Sequence, residues 1–392
     1  MTAQPIYLRK ILLLYRTFDP SVHLCGYAQF HWLTKQERCE FRHKRIKDVQ
    51  TDDLNWAEFV AFVRGDALLD ERIAALCHRA GKIVLYILDD DLFNVPAQLG
   101  SGPYYRQKSV KRHIDRMMQY SDALVSPSPK LLNKYGSSFQ YTIPIIEPSL
   151  FSWDKRPSHT DGRIYIGFAG SFDRSGDIDL ILSEALARIK ERYKDQIVIE
   201  FFGVHPKLIK QLSCTVYPYQ ESYESYQKMM QQLNWDIGLA PLPDTEFHSC
   251  KHYNKLVEYA GFGICGIYSD VPPYSGAVQD QYNGLLCTNS TDAWVNALTR
   301  LIEDSELRQR ISHNCLQQAH TVFSVPFAAE KLADEMAKIQ TNAHAEEIQT
   351  SLIMIKAIGL ISWYIEKLKK YGWKTPVVAV KKIIRMFRRN LA

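Results

Sequence analysis

Two stretches of the sequence constrain its fold more than any others. Ile164–Ser171 reads IYIGFAGS, an apolar run typical of a buried strand that ends in a Gly-Ser turn. Asp236–Gly263 reads as an apolar strand, a polar loop and a helical segment. The same alternation already occurs upstream, where Lys10–Tyr15, Phe59–Arg64 and Lys82–Leu88 read as strands with helical patterns between them. Strands that alternate with helices predict parallel sheets covered on both faces, and therefore an α/β protein.

The chain is long enough for two such units, since 392 residues allow two domains that each bury a core. Trp153–Gly162 is rich in Pro, Ser and Asp, which predicts a linker. We therefore expect a first domain over residues 1–155 and a second over 160–325. A helix predicted over Phe327–Glu347 would return the chain towards the first domain within residues 326–350, leaving 351–392 as a tail.

Composition narrows the compartment and the class of partner. A hydrophobic content of 46% and a charged content of 23% are typical of a globular protein. The eight cysteines form no CxxC pair, so we expect reduced thiols in a cytoplasmic protein rather than disulfides or a zinc site. The apolar run at Ile11–Leu14 is too short for a signal peptide and reads as part of a first strand.

The charge is distributed unevenly along the chain. Residues 351–392 hold seven Lys, three Arg and one Glu, a charge of +9 that leaves −4 on the remainder of a chain whose total is +5. A mildly acidic body argues against nucleic acid as a partner. The end of the tail instead places apolar residues on one helical face with basic residues around it: Val380, Ile383, Ile384, Phe387 and Leu391 against Lys381, Lys382, Arg385, Arg388 and Arg389.

A basic amphipathic helix of this kind, with Trp363 and Trp373 upstream, predicts docking on an anionic membrane surface. The protein is then expected to be peripheral on the inner face of the cell membrane. Packing of the same helix on a partner protein or another subunit is the alternative. The sequence does not fix the oligomeric state.

The turn Gly170–Asp177 joins a strand to a helix, so its free amides and the positive helix end could hold a phosphate. We assign Gly170 and Ser171 to that contact, with Arg174 as a charged donor. The sequence has no GxGxxG fingerprint, so no nicotinamide or flavin cofactor is expected. A tight turn without a ligand is the alternative.

Lys251, Lys255 and Glu258 are spaced i, i+4 and i+7, so a helix running through them would place all three on one face. A solvated, salt-bridged face would explain this spacing too. The predicted helix starts near the carboxyl edge of a parallel sheet, however, which is where such sheets bind ligands. Two lysines for a diphosphate and a carboxylate for ribose hydroxyls would suit a sugar nucleotide.

The motifs as an ordered set resemble the group-1 glycosyltransferases, which are retaining enzymes of bacterial polysaccharide synthesis with the GT-B fold: two Rossmann-like α/β domains that face each other across a cleft. The resemblance covers about Ile164–Phe323 and rests on IGFAGS, FFG at Phe201–Gly203, DIGLAPLPD, the segment around Lys251 to Glu258, GLL at Gly284–Leu286 and Leu307–Cys315.

The resemblance implies that the Gly-Ser turn and basic residues hold the donor diphosphate and that Glu258 binds the donor ribose. Two positions depart from the family pattern. Cys250 stands where many relatives carry a second glutamate, and His252 follows the first lysine where a serine is frequent. Glu246 is a nearby carboxylate that could replace the missing one. The departures concern the sugar and the donor contacts rather than the fold.

The triplet Asp89-Asp90-Asp91 follows the predicted strand Lys82–Leu88. Three adjacent carboxylates repel one another, so some should have a raised pKa or bind a cation. The triplet resembles the metal site of GT-A glycosyltransferases. In a GT-B protein it would line the acceptor side, with Asp90 or Asp91 orienting an acceptor hydroxyl or acting as a base. Capping of the turn and pairing with Arg or Lys is the third interpretation.

These features predict transfer of a sugar from a nucleotide-diphosphate sugar to a hydroxyl of a glycan or lipid-linked acceptor. Lys251, Lys255 and Arg174 would stabilise the leaving diphosphate without a metal or a cofactor, and Lys255 is the catalytic candidate beside Asp90 and Asp91. Tyr219 is the best candidate to stack on the donor. The alternatives are a binding subunit without activity and an epimerase acting on the nucleotide sugar itself.

Overall fold

Two parallel six-stranded sheets organise the computed structural model of the protein, which describes residues 10–207, 212, 214–220, 222–340, 346–349, 352, 354–359 and 361. The strands of the first sheet lie in the order β2-β1-β3-β4-β5-β6 and those of the second in the order β12-β11-β10-β7-β8-β9. Every strand pair is parallel, so the carboxyl ends of the strands share one edge in each sheet.

The first sheet and its helices occupy the amino-terminal part of the chain. Its strands are β1 (Lys10–Tyr15), β2 (Glu40–Arg45), β3 (Phe59–Val63), β4 (Ile83–Ile87), β5 (Ala123–Ser126) and β6 (Tyr141–Pro144). Its helices are α1 (Pro20–Val22), α2 (Ala28–Lys35), α3 (Thr51–Trp56), α4 (Leu68–Arg79), α5 (Gly102–Tyr105), α6 (Lys108–Gln119) and α7 (Pro129–Tyr135). The central strands β3 and β4 are buried at every residue because helices cover both faces of the sheet.

The second sheet repeats this arrangement. Its strands are β7 (Ile164–Ala169), β8 (Ile197–Phe202), β9 (Thr215–Tyr217), β10 (Ile237–Ala240), β11 (Cys265–Ser269) and β12 (Leu285–Cys287). The helices that follow are α8 (Ser175–Tyr193), α9 (Tyr223–Leu233), α10 (Glu246–Ser249), α11 (Asn254–Phe262), α12 (Tyr274–Ala277), α13 (Thr291–Glu303), α14 (Ser305–His320) and α15 (Val325–Met336). One core joins both faces of this sheet to its helices, and Trp235 and Trp294 are its largest fully buried side chains.

Helix α15 brings the chain back to the first sheet. Its buried residues Leu332 and Met336 belong to the same core as Phe30 and Leu33 of α2. The predicted helix over Phe327–Glu347 is wrong in its length, because α15 ends at Met336. Ile339 lies beyond the end of α15 but is still buried in the core of the first sheet, so the apolar pattern in the sequence continues where the helix does not.

Beyond α15 the described segment runs along α4. The backbone of Glu346 donates to the Ala80 carbonyl at 2.9 Å, just beyond the end of α4. Residues 354–359 are helical, and a side chain at Gly359 would meet Leu69 in the first turn of α4 at 3.2 Å. No helix in the described part of the chain is long and apolar enough to cross a bilayer. The predicted amphipathic segment lies outside the described residues, as does most of the tail at 351–392.

Candidate functional site

The carboxyl edges of the two sheets face each other and are joined by polar contacts. Lys251 Nζ, which follows α10, lies 2.7 Å from Oδ1 of Asp90, which follows β4. His252 Nδ1 lies 3.2 Å from Oε2 of Glu147, which follows β6. The Gly100 amide donates to Asp173 at 3.1 Å. The cleft between these edges is therefore lined by the loops that follow the strands of both sheets, the position where parallel sheets bind ligands.

Lys255 and Glu258 form an ion pair on one face of α11 at the edge of the second sheet. Their side chains are 19% and 13% exposed, so both keep an open side towards solvent. The Tyr226 hydroxyl lies 3.4 Å from Lys255 Nζ, and the Tyr226 ring stacks on Phe202 with centroids 5.0 Å apart. The Lys255 ammonium and the Glu258 carboxylate therefore lie side by side, next to the stacked rings of Tyr226 and Phe202.

The loops after β7 and β8 approach each other at two glycines. Gly203 has φ +76°, and a Cβ there would lie 2.4 Å from the carbonyl oxygen of Gly170. Only glycine fits this left-handed, crowded position. The side chain of Tyr219, which follows β9, lies beside Gly203 and is 60% exposed. The predicted turn residue Gly170 and the predicted stacking residue Tyr219 therefore lie at one place on the edge.

The predicted phosphate turn leads directly into α8, a helix of 19 residues. Ser171 is exposed and its side chain caps no backbone amide there. Arg174 donates to the carbonyl of Pro241 at 2.7 Å and pairs with Asp177 at 2.9 Å. Arg174 therefore ties the turn to the loop after β10, and its guanidinium lies on the cleft side of the second sheet.

Lys251 does not lie on the helix that carries Lys255 and Glu258, so the predicted single face of three residues is wrong. Helix α11 begins at Asn254, and Tyr253 before it has φ −82° and ψ 44°, which is not helical. Lys251 belongs to the connection between α10 and α11. This break lets its side chain reach across the cleft to Asp90 rather than align with Lys255.

Each of the three aspartates is paired with basic or polar neighbours, and Asp89 and Asp90 share Arg64. The expectation of a raised pKa is wrong for Asp90. Arg64 makes a two-pronged contact with Asp89 and donates to Asp90 at 3.0 Å. Burial opposes ionisation of Asp90, but Lys251 and Arg64 outweigh it and hold its pKa below the usual value. Asp90 is therefore an ionised carboxylate with cations on both sides of the cleft.

Asp91 is fully buried and accepts hydrogen bonds from three donors, Tyr135 at 2.7 Å, Lys134 at 2.8 Å and Asn94 at 2.9 Å. Cys250 is also fully buried, with its sulfur 3.9 Å from the same carboxylate. This environment matches the third interpretation of the triplet, in which the carboxylate pairs with neighbouring donors. Because the Asp91 side chain has no exposed surface, it is not placed to contact the hydroxyl of a sugar acceptor.

Glu246, the carboxylate nearest to Cys250 in the sequence, lies at the surface with its side chain 57% exposed. Lys130 and Lys134 of α7 each approach it at 3.0 Å. Hydrogen bonds from Lys134 and Lys130 hold its pKa below the usual value. Glu246 therefore links the two domains.

Three buried groups of the first domain lie close enough to be considered as metal ligands. Cys25, Asp89 and Glu147 place one ligand atom each within 4.8 Å of one another. The Cys25 thiol donates to Glu147 at 3.3 Å, burial raises the pKa of that thiol, and Asp89 already pairs with Arg64. Two of the three groups therefore already have partners within the protein: the protonated Cys25 thiol donates to Glu147, and Asp89 pairs with the Arg64 guanidinium.

Several residues at the cleft were not identified from the sequence. Arg64 and Glu147 gain their roles from partners far along the chain, and no local pattern marks either. His23 stacks on Tyr223 of the second domain with ring centroids 5.6 Å apart. The only sequence indication for Glu147 is its place just beyond the strand that ends at Pro144. His23 could reach the cleft from the first domain, but a lone histidine is more often structural.

At the level of sequence, neither a protein-family model nor a curated protein matches this chain. Solved structures do. The Anabaena protein HepE in complex with UDP and glucose superposes with a TM-score of 0.59 over 84% of this chain and 100% of its own, at 13% identity. The lipopolysaccharide outer core galactosyltransferase WaaB, in its apo form, gives 0.55 over 84% and 99%, at 12% identity. The chain has the GT-B fold.

The fold expected from the sequence is thereby confirmed. A third GT-B neighbour has a different chemistry in its name: a putative UDP-N-acetylglucosamine 2-epimerase from Listeria monocytogenes superposes with a TM-score of 0.53 over 86% of this chain and 98% of its own, at 10% identity. The GT-B fold therefore accommodates more than one activity, and the activity has to be argued from the site.

Proposed function

We propose that this protein is a glycosyltransferase that moves a sugar from a nucleotide-diphosphate donor to an acceptor hydroxyl. The observation that carries the proposal is the group of residues at the edge of the second sheet. Lys255 and Glu258 project beside each other. Gly170 and Gly203 approach each other closely and, having no side chains, present bare backbone at the same edge. A diphosphate binds a cation and backbone amides, and ribose hydroxyls bind a carboxylate. A base stacks on an aromatic surface, which Tyr219 would supply.

The donor would lie with its diphosphate against the turn at Gly170 and Ser171. Lys255 and the start of α8 would neutralise the charge that builds on the diphosphate as the bond to the sugar breaks. Glu258 would accept hydrogen bonds from the ribose hydroxyls. HepE, a neighbour in fold, was crystallised with UDP-glucose, which agrees with a donor of this class.

The acceptor would approach from the first domain. Asp90 is ionised and its side chain is 21% exposed, so it could orient an acceptor hydroxyl. Because its pKa is lowered, it would be a weak base. When the donor binds, Lys251 would release Asp90 and pair with the diphosphate instead. Retention of the anomeric configuration, which the resemblance implies, would let a phosphate oxygen of the leaving group take the proton, and no metal would be required.

The acceptor would be a glycan or a lipid-linked sugar at a membrane. The described chain lies near the end of α4 at Glu346 and near its start at Gly359, and the start of α4 is at the cleft edge of the first sheet. Met354, Ile358 and Ile361 are exposed at 63%, 47% and 45%, at helical spacing. This apolar stripe and the basic residues beyond it would hold the acceptor side of the cleft against anionic lipid.

Two other functions are each compatible with a particular observation. The burial of Cys250, where relatives carry a glutamate, is compatible with a subunit that binds a nucleotide sugar without turnover. The likeness to a putative epimerase is compatible with conversion of the donor sugar itself.

The test is a panel of nucleoside diphosphates and nucleotide sugars, scored by thermal shift in EDTA and then by product analysis. The proposal predicts stabilisation by one nucleotide without metal, and slow release of nucleoside diphosphate from its sugar. A changed sugar that stays attached to the nucleotide would establish the epimerase. Stabilisation without any turnover, with membrane extracts added as a source of acceptor, would establish the binding subunit.

A further inference from the structure

An aromatic platform lies on the first domain at the carboxyl ends of β1 and β2. We define it by five rings that are connected through pairwise contacts: Phe18, His23, Tyr27, His31 and His43. Phe18 is the centre, with ring centroids 4.3 Å from His23, 5.1 Å from Tyr27 and 5.5 Å from His43. Phe18 is 38% exposed, and His31 and His43 are exposed as well. These rings are open to solvent, and none of the contacts of the proposed donor site uses them.

The backbone beneath the platform has an unusual conformation. His23–Tyr27 forms a π-helical turn between α1 and α2. Such turns are rare and occur often at functional sites. The turn brings His23 and Tyr27 to a centroid distance of 5.6 Å, and Tyr27 and His31 stack at 5.3 Å with an interplanar angle of 9°. Three rings spaced four residues apart thus follow one side of the helix that starts at the cleft.

The platform opens into the cleft. His23 stacks on Tyr223 of the second domain at 5.6 Å, so the rim has aromatic rings on both sides. Asp19, next to Phe18, lies within electrostatic reach of Arg64 and Asp89. A ligand seated on Phe18 would therefore extend towards the aspartate triplet, where the transfer is proposed to occur.

We propose that the aromatic platform is a subsite for a hexopyranose ring of the acceptor, an inference that rests on the proposed glycosyltransferase function. A pyranose presents polarised C–H groups on its flat faces and hydroxyls at its edge. Aromatic rings have a negative face that attracts such C–H groups, and the imidazoles and the Tyr27 phenol add hydrogen-bonding groups around it. A plain hydrocarbon chain would have no use for those polar atoms.

The electrostatics of the platform suit a neutral ligand. Burial lowers the pKa of His23, although Asp19 opposes the shift. Burial also lowers the pKa of His43, and His31 adds to this effect. Both rings are thus uncharged near neutral pH, and the platform has the character of a sugar site more than that of an anion site.

The experiment is saturation-transfer NMR of the full chain with millimolar methyl glycosides of glucose, galactose, mannose, N-acetylglucosamine and rhamnose, in the absence of nucleotide. We expect transfer to the ring C–H protons of at least one glycoside. Phe18→Leu should abolish it, because the apolar volume remains while the ring is lost. Phe18→Tyr should preserve it. Phe327→Leu is the matched control, since Phe327 is 37% exposed but lies on α15.

The proposal is overturned if no methyl glycoside receives saturation, or if Phe18→Leu behaves as the wild type does. Nucleotide binding, measured on the same samples by thermal shift, separates this inference from the proposed function. Glycoside binding without nucleotide binding would support a sugar site at the aromatic platform and contradict the proposed glycosyltransferase function. Nucleotide binding without glycoside binding would contradict the sugar site and leave the glycosyltransferase proposal standing. Circular dichroism of each variant excludes loss of fold as the cause.

Discussion

At the scale of single residues, Lys255 is the cation proposed to bind the donor diphosphate. Its side chain is 19% exposed, and its ammonium neighbours both Glu258 and Tyr226. A hydrogen bond to a charged group contributes about 1.5–3 kcal/mol. Lys255→Met should therefore weaken binding of the nucleoside diphosphate by about 10- to 100-fold, measured by calorimetry.

The matched control for this change is Lys228→Met. Lys228 is a surface lysine, 69% exposed, that also pairs with a glutamate, Glu224, at 2.7 Å. Exposed pairs of this kind contribute little, so affinity should not change. Equal losses in the two variants would mean that only the overall charge of the protein matters.

His248 should make stability depend on pH. Burial, with Arg174 and Lys251 nearby, lowers its pKa from 6.5 to about 4 in the folded protein. Between these two values the unfolded chain binds the proton and the folded chain does not, so folding is favoured as pH rises. Stability should fall as pH is lowered from about 6.5 towards about 4.

The variant His248→Gln isolates this contribution, because glutamine keeps a polar group near Thr245, whose hydroxyl lies 2.7 Å from His248 Nδ1, but does not titrate. Urea midpoints of both proteins between pH 4.5 and 7 give the comparison. The wild type should lose more stability than the variant over this range. Parallel curves would contradict a buried neutral histidine.

At the scale of elements, the junction of the loops after β7 and β8 depends on Gly203. Gly203→Ala would combine a left-handed backbone with a Cβ 2.4 Å from the Gly170 carbonyl, a cost of about 2–4 kcal/mol. Gly162→Ala is the control, since Gly162 has φ +71° and nothing within 4 Å of its Cβ position. That control should cost about 1 kcal/mol.

Urea denaturation gives both free energies of unfolding, and thermal shift with the nucleotide reports the site. The Gly203→Ala variant should lose nucleotide binding as well as stability. Relief of the clash with the Gly170 carbonyl would move the turn that is proposed to hold the diphosphate. If both alanine variants lose the same free energy, the close approach of the two loops is not important for the fold.

The elements that periodicity predicted are those whose side chains are buried on both faces. Strands β1, β3 and β4 fall within one residue of their expected bounds for this reason. Strand β2, EFRHKR, lies at an edge with most side chains exposed, so it has no apolar run to reveal it. Strand β9 has three residues, too few for a pattern.

The candidate site was predictable where its parts are local in sequence. The pair Lys255 and Glu258 and the turn at Gly170 follow from spacing within one strand–helix unit. The contacts of Lys251 with Asp90 and of His252 with Glu147 join residues more than 100 positions apart, and no local pattern encodes them. The break before α11 was missed because helical spacing continues through Tyr253 while its backbone does not.

At the scale of the whole molecule, the charge asymmetry should appear as selective membrane binding. Each basic residue near an anionic surface contributes about 1 kcal/mol. Replacement of Lys381, Lys382, Arg385, Arg388 and Arg389 by Gln should reduce flotation with vesicles of phosphatidylglycerol and phosphatidylcholine by well over 10-fold. Vesicles of phosphatidylcholine alone are the control. Equal binding to both vesicle types by the wild type would contradict an electrostatic anchor.

The two domains bring different groups to one cleft. The second contributes Lys255 and Glu258, and the first contributes Asp90 and the aromatic platform. The most direct test of this division is a crystal structure with the nucleoside diphosphate that stabilises the protein. We predict a diphosphate within hydrogen-bond distance of Lys255 Nζ and the Ser171 amide, with the ribose on Glu258. A nucleotide held through a metal ion at Asp89–Asp91 in the first domain would contradict the central claim.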